Sequence, residues 1–133
     1  MVGQHHSEFM KRKVYLAARA HRAEWVSALV AAGLPLASNW HLWFPNRSEA
    51  VPTAQEWSEH SARCLSQAAS ADICLLVLER DTLGTLLEAG AALGAGKVVY
   101  LVNKTGEPAP FLECHPRVRC FRSLPDAIAA LRQ

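Results

Sequence analysis

The chain has 133 residues, half of them hydrophobic and a fifth charged, and its formal net charge is +2 at pH 7. Such a composition is typical of one soluble domain with a single hydrophobic core. The small net charge gives no indication of nucleic acid as a partner. No apolar run approaches the roughly 18 residues that span a bilayer, and the first residues lack the apolar segment of a signal peptide. We therefore expect a cytoplasmic protein that binds neither nucleic acid nor membrane.

The cysteines argue against a disulfide framework and against a metal site. Cys64, Cys74, Cys114 and Cys120 show no Cys-x-x-Cys spacing, so we expect reduced thiols. A zinc site made of His60, Cys64, Cys114 and His115 would have an unfamiliar ligand spacing. We predict neither a metal ion nor a cofactor.

The first half of the chain predicts a flexible polar arm over residues 1–12, followed by a single domain over residues 13–133. Apolar runs indicate strands, helical spacing of apolar residues indicates helices, and Gly33 suits the end of a helix. The predicted elements are, in order, strand 1 at 13–18, a helix at about 20–32, strand 2 at 34–40, a loop at 41–52, and a helix from the Thr53–Glu56 capping box to about residue 70.

The second half begins with the near-continuous apolar run DICLLVL at 72–78, which is typical of a strand buried on both faces of a parallel sheet. A turn at 79–82 and a helix that stops at Gly96 follow it. The remaining predicted elements are strand 4 at 97–102, a proline-rich loop at 103–116, strand 5 at 117–121, and a helix capped at Ser123 that runs to Leu131.

This alternation of strands and helices predicts an α/β fold, a flavodoxin- or Rossmann-like three-layer sandwich with helices on both faces of a parallel sheet. Five strands and right-handed crossovers favour the order 2-1-3-4-5. Ligands of such sheets bind beyond the carboxyl ends of the strands at the switch point, here between strands 1 and 3. Residues 18–22 and 79–88 should line that crevice.

Glu88 is the only charged residue between Thr82 and Gly96. Thr85 and Glu88 have the spacing of a capping box, in which Glu88 would only stabilise the start of a helix. Alternatively Glu88 faces the predicted crevice and does chemistry there, because helix N-termini also line ligand sites. The local pattern leaves both interpretations open.

Four stretches carry a likeness to known proteins: KVYLAAR (13–19), RCLSQAASADICLLVL (63–78), LGTLLEAGAALGAGKVVYLV (83–102) and FRSLPDAIAAL (121–131). Together they resemble the nucleoside 2-deoxyribosyltransferase-like superfamily. The resemblance implies cleavage of the N-glycosidic bond of a nucleoside or nucleotide, with Glu88 as nucleophile and Tyr15 orienting it. It also implies a homodimer or larger assembly, because family members complete the site across subunits. We further expect the helix N-terminus to keep Glu88 ionised.

The chain also departs from the family pattern. Cys64 stands where the family commonly has an Asp, and His60, four residues earlier on the same helical face, is our alternative for protonating the leaving base. Another family Asp corresponds to Thr82, with Asp81 one step out of register. Arg19 and Arg22 replace a glycine-rich phosphate turn.

Other residues are expected at the substrate, each with a structural alternative. Arg19 and Arg22 suit a 5′-phosphate, although they could equally lie on a solvated face. Trp40 suits stacking on a base, although its indole could equally pack in the core or a loop. Asp72 is either a substrate contact or a solvated residue at the start of a strand. The complete set of expected substrate-binding residues is Ala18, Arg19, Arg22, Trp40, Cys64, Asp72, Asp81, Gly84 and Thr85.

Two other functions remain open on the sequence. One is a non-catalytic nucleotide-binding or sensing domain on the same scaffold, which the replacement of the helical Asp by Cys64 favours. The other is a phosphoribohydrolase whose glycine-rich motif partly resembles LGTLLE, although the paired glycines of that motif are missing before Gly84.

Overall fold

A computed structural model describes residues 12–19, 23–40 and 52–133 of the chain. Most of the predicted arm and loop, as well as His21, Arg22 and Trp43, lie outside these residues. The described elements are β1 (Val14–Ala17), α1 (Ala23–Ala31), α2 (Ala54–Ser70), β2 (Ile73–Leu78), α3 (Leu83–Gly94), β3 (Val98–Asn103), α4 (Pro110–Glu113), β4 (Val118–Phe121) and α5 (Leu124–Leu131).

The four strands form one parallel sheet in the order β1-β2-β3-β4. All six side chains of β2 are buried, so both faces of the sheet are covered at its centre. This confirms the prediction from the run DICLLVL, because only a strand covered on both faces places consecutive apolar side chains in a core. The α/β class and the parallel sheet are therefore as predicted.

The predicted strand 2 is not confirmed as a full strand. Within the described residues, segment 34–40 contributes only an isolated parallel bridge between Leu36 and Val14. Farther along β1, side chains replace the backbone of a neighbouring strand: Leu16 N–H donates to Ser38 Oγ at 3.2 Å, and Trp40 Nε1 donates to the Leu16 carbonyl at 2.6 Å. With both polar groups of Leu16 satisfied in this way, the predicted fifth strand does not form.

The capping box at Thr85 and Glu88 is also wrong. Helix α3 begins at Leu83, with Thr82 as its N-cap residue. The Thr82 hydroxyl donates to the Glu79 carbonyl at 2.7 Å, which closes the turn before the helix. Glu88 therefore lies in the second turn of α3, too far along the helix to cap it.

The other helix boundaries follow their local signals. Thr53 and Glu56 form the predicted capping box at the start of α2, and Ser123 accepts from Asp126 N–H at the start of α5. Gly33 and Gly96 have φ values of +79° and +80°, as expected for glycines that end helices. Within the described residues, none of the helices is both long enough and apolar enough to cross a bilayer.

Helices α2 and α3 pack against each other, and both contact β1. Ala68 of α2, Ala89 and Ala92 of α3, and Tyr15 of β1 belong to the buried core. Small side chains at these helical positions let the helices approach closely. This packing brings one face of α2 towards the first two turns of α3.

Candidate active site

A cavity of about 510 Å³ lies between α2, the beginning of α3 and the residues that follow β1. It combines the two segments that the topology was expected to bring together, the one after β1 and the one after β2. The residues that line it are Ala18, Arg19, Trp40, Trp57, His60, Ser61, Cys64, Leu65, Asp81, Thr82, Leu83, Gly84, Thr85, Leu87 and Glu88.

Glu88 shares a hydrogen bond with Tyr15, whose hydroxyl donates to its carboxyl oxygen. Tyr15 is fully buried in β1, so its ring cannot swing away without opening the core. The bond fixes the carboxyl group at the wall of the cavity. A fixed, partly desolvated carboxyl group in a cavity is suited to nucleophilic or acid–base chemistry.

Burial raises the pKa of Glu88 from its ordinary value of 4.5 to about 8. This differs from the expectation that the helix N-terminus keeps Glu88 ionised. The physical reason is its position, since Glu88 lies in the second turn of α3 and the helix dipole falls off within the first turn. Desolvation disfavours the charged form, so the Glu88 carboxyl group is mostly protonated at neutral pH.

His60 and Cys64 lie one turn apart on α2 and face the same cavity, with His60 Nε2 3.6 Å from Cys64 Sγ. Arg63 Nη2 lies 3.2 Å from His60 Nδ1. Because a guanidinium group can only donate, Nδ1 accepts and the ring proton sits on Nε2. Protonating Nδ1 would break this hydrogen bond and place a positive charge beside Arg63.

The pKa values of this pair move in the directions that this geometry predicts. Burial, and secondarily the charge of Arg63, lowers the pKa of His60 below 6.5. Burial raises the pKa of the Cys64 thiol above its ordinary value, and the charge of Arg63 only partly opposes this. At neutral pH, α2 therefore presents an uncharged imidazole and an uncharged thiol to the cavity.

Arg19 and Trp40 both line the cavity, as does Asp81. Arg19 is half-buried, and its Nη1 donates to the Arg80 carbonyl at 3.4 Å. Trp40 is buried, and its Nε1 bond to Leu16 holds the indole in place. Asp81 is exposed in the turn after β2 and has a φ of +60°.

Asp72 is not at the cavity. Its Oδ2 accepts from Lys13 N–H at 2.7 Å, which ties the start of β1 to the start of β2. Its predicted contact with substrate is therefore replaced by a structural role. Arg22 falls outside the described residues. Ala18, Cys64, Gly84 and Thr85 line the cavity together with the residues already described.

Sequence reasoning missed several residues of the cavity wall. Trp57, Ser61 and Leu65 follow one another at intervals of four along α2. This spacing places them on the helical face that His60 and Cys64 occupy, so helical periodicity was a signal that could have found them. Leu83 and Leu87, on α3 and within the predicted segment 79–88, complete the apolar rim.

The fold is shared with two solved structures, and this agrees with the predicted resemblance at the level of the fold. A 2-deoxyribosyltransferase from the psychrotolerant bacterium Bacillus psychrosaccharolyticus superposes with a TM-score of 0.69 at 22% identity, over 90% of this chain and 95% of its own. A CMP N-glycosidase from Clostridium botulinum superposes with a TM-score of 0.57 at 14% identity, over 90% of this chain and 98% of its own.

No protein-family model matches the chain, and no curated protein sequence matches it significantly. At identities of 22% and 14%, the structural similarity establishes the fold alone. A shared fold does not by itself determine a function.

Proposed function

We propose that the protein cleaves or transfers the N-glycosidic bond of a nucleoside or nucleoside 5′-monophosphate, with Glu88 as the nucleophile. The observation that carries this proposal is the carboxyl group of Glu88, held by Tyr15 at the wall of the cavity. The shared fold with a deoxyribosyltransferase and a CMP N-glycosidase supports it.

In the proposed first step, a carboxylate oxygen of Glu88 attacks the anomeric carbon, and the electron pair of the carbon–nitrogen bond leaves with the base. The product is a glycosyl ester on Glu88. In the second step, water or a second base attacks the same carbon and releases the carboxylate. A carboxylate nucleophile divides one difficult displacement into two easier ones, as in retaining glycosidases.

The other lining residues suggest how the substrate is held. Arg19 is the described cation of the cavity wall and suits a 5′-phosphate. Trp40 and Trp57 offer aromatic surface to a base. His60 lines the α2 wall of the cavity, where it would contact the departing base.

The decisive experiment is mass analysis of free base and sugar after incubation with a panel of nucleosides and their 5′-monophosphates. Glu88→Gln should abolish turnover, because an amide cannot form the glycosyl ester. Glu59→Gln, an exposed position of α2, is the matched control and should keep wild-type activity. Turnover by Glu88→Gln within about tenfold of wild type, or about 1.4 kcal/mol of barrier, would contradict the nucleophile assignment.

A second candidate is a nucleotide-binding domain without catalysis. The α2 residues that line the described cavity include no carboxyl group, and Cys64 and His60 are uncharged there, which favours binding over proton transfer. Saturable binding of a nucleotide by calorimetry, with no base released over hours, would support this function instead.

We also propose that the protein forms a homodimer. Leu83 and Leu87, exposed by 78% and 63%, and Trp57, exposed by 45%, present apolar surface at the mouth of the cavity. Clustered apolar surface of this kind is typical of association sites.

A further inference from the structure

The leaving group decides how much acid catalysis an N-glycosidic bond needs. A neutral base departs as an anion unless it receives a proton, whereas a base that is already cationic departs as a neutral molecule. Proton donation at this point typically contributes on the order of 10²–10⁴-fold in rate. The proton donors of the cavity therefore predict which bases can leave.

The wall contributed by α2 offers no ready proton. His60 Nδ1 accepts from Arg63 at 3.2 Å, so a second ring proton would have to displace that hydrogen bond. Cys64, 3.6 Å from His60 Nε2, is a buried thiol. The imidazole can donate a neutral hydrogen bond through Nε2, but it has no proton to give up without becoming an anion.

The ionisation of Glu88 works against a histidine acid as well. Glu88 must lose its proton to act as a nucleophile, and its pKa is about 8. The pKa of His60 lies below 6.5. At any pH where Glu88 is mostly ionised, His60 is mostly neutral, so the two groups are rarely in the required forms together.

The remaining described wall suits a positive charge. Asp81 and Glu88 bring two carboxyl groups to the cavity, against the single guanidinium group of Arg19. Trp40 and Trp57 add aromatic rings, whose faces attract cations. A planar cationic base thus meets aromatic surface and carboxyl groups together.

We propose that the preferred substrates are nucleosides or nucleotides whose base carries a fixed positive charge at the glycosidic ring, such as N-alkylated purines or pyridinium bases. This inference rests on the proposed function and names its substrate class. When Glu88 attacks the anomeric carbon, the electron pair of the broken bond neutralises the charge on the base, and no proton is transferred to it. Water then hydrolyses the glycosyl ester and yields free sugar, the Glu88 carboxylate and one proton.

The test compares 7-methylguanosine with guanosine, a pair that differs by one methyl group and its positive charge. Each is assayed as the nucleoside and as the 5′-monophosphate, with release of base followed by chromatography. We expect the wild type to cleave the methylated substrate on the order of 10²-fold faster or more, the size of the missing acid catalysis. Equal rates, or cleavage of neither substrate by a protein that cleaves other members of the panel, would overturn this inference alone. Cleavage of no member of the panel would overturn the proposed function with it.

The 7-methyl group also makes the glycosidic bond intrinsically weaker. A variant therefore separates this effect from the effect of the missing acid in the site. Cys64→Asp places a carboxyl group on the same face of α2, and Cys64→Ser is the control without an acid. Cys64→Asp should raise guanosine cleavage about tenfold or more above that of Cys64→Ser, as expected for a new general acid, and should therefore narrow the ratio of 7-methylguanosine cleavage to guanosine cleavage. Guanosine cleavage that stays at the wild-type rate in a folded Cys64→Asp protein would contradict the inference.

The pH dependence of the wild type gives a readout that does not depend on any variant folding. Glu88 contacts Tyr15 from β1, and it shares the cavity wall with His60 and Cys64 from α2, Asp81 from the turn and Arg19 after β1. With a pyridinium riboside, whose ring nitrogen keeps its positive charge at every pH of the series, we expect kcat/KM to rise with pH and to level off above about 8, without the falling limb of a general acid. A bell-shaped profile with this substrate would overturn the inference.

Discussion

Tyr15 and Glu88 are 73 positions apart in the chain, yet the hydroxyl of one donates to the carboxyl group of the other across the interface of β1 and α3. Tyr15 is fully buried, and Glu88 is mostly buried at the edge of the cavity. The bond joins the core of the protein to the candidate nucleophile. Two opposing effects therefore act on the ionisation of this carboxyl group. Desolvation disfavours the ionised form, and the hydrogen bond from the phenol favours it.

Removing the tyrosine hydroxyl should make Glu88 harder to ionise. In Tyr15→Phe the rising limb of kcat/KM against pH is expected to move from about 8 to higher pH. The displacement should be about one pH unit, because a hydrogen bond to a charged group contributes about 1.5 kcal/mol or more and one unit corresponds to about 1.4 kcal/mol. Tyr100→Phe, in β3, is the control. If the rising limb of Tyr15→Phe stays at the same pH as in the wild type, the hydrogen bond does not stabilise the ionised form of Glu88.

The buried carboxyl group should also make folding stability depend on pH. The pKa of Glu88 is raised in the folded state, so its contribution is fully present below 4.5 and is lost as the pH rises through about 8. The glutamine side chain of Glu88→Gln is neutral at every pH, so this variant does not lose stability as the pH rises. The variant should therefore gain stability relative to wild type, by at most about 1.4 kcal/mol per pH unit in this window. Urea unfolding at about pH 5, 6, 7 and 8, which span that window, measures the difference in the free energy of unfolding.

The control for that series is Glu59→Gln, whose side chain is exposed on α2. It reports the effect of the amide substitution by itself. A difference between wild type and Glu88→Gln that stays constant across the series would contradict the raised pKa of Glu88.

Arg19 should distinguish nucleotides from nucleosides. Because the guanidinium group lines the cavity, Arg19→Gln should weaken binding of a 5′-monophosphate and leave nucleoside binding nearly unchanged. A lost charge-assisted hydrogen bond of about 1.5–3 kcal/mol corresponds to roughly a ten- to hundredfold loss of affinity. Calorimetry in the Glu88→Gln background avoids turnover, and Arg132→Gln, exposed at the end of α5, is the control. Equal binding of nucleoside and nucleotide by the protein with Arg19 intact would refute the assignment.

The edge of β1 depends on Trp40. In Trp40→Phe the buried Leu16 carbonyl loses the indole N–H that it accepts at 2.6 Å. A buried acceptor left without a donor costs about 1–3 kcal/mol, which denaturant unfolding should detect. Phe111→Leu, at an exposed position of α4, should change stability by less than about 0.5 kcal/mol. A Trp40→Phe protein as stable as wild type would show that the bond contributes nothing net.

The proposed dimer should be visible in solution. We expect sedimentation to give a species of twice the chain mass at tens of micromolar protein, roughly the concentration range in which weak dimers begin to form. Leu83→Glu together with Leu87→Glu should shift it towards monomer, because two charges would be buried in the interface. A wild-type monomer under these conditions would contradict the proposal.

Local signals in the sequence determined the elements whose hydrogen bonds are local. The Thr53–Glu56 capping box, the glycines that end α1 and α3, and the Ser123 cap all bond within a few residues of themselves. The apolar run of β2 likewise required a strand covered on both faces. The isolation of Glu88 in an apolar segment marked it as a candidate site residue, because a buried charge among apolar neighbours is costly unless a partner elsewhere in the chain stabilises it.

Tertiary structure decided what depended on partners far along the chain. The sequence of segment 34–40 is suited to a strand, but Ser38 and Trp40 take the hydrogen bonds of Leu16 that another strand would use. Thr85 and Glu88 have the spacing of a capping box, but the turn closed by Thr82 begins the helix earlier, and Tyr15 becomes the partner of Glu88. The physical reason is competition. A local pattern shows which hydrogen bonds a group is able to make, and packing determines which partner reaches it.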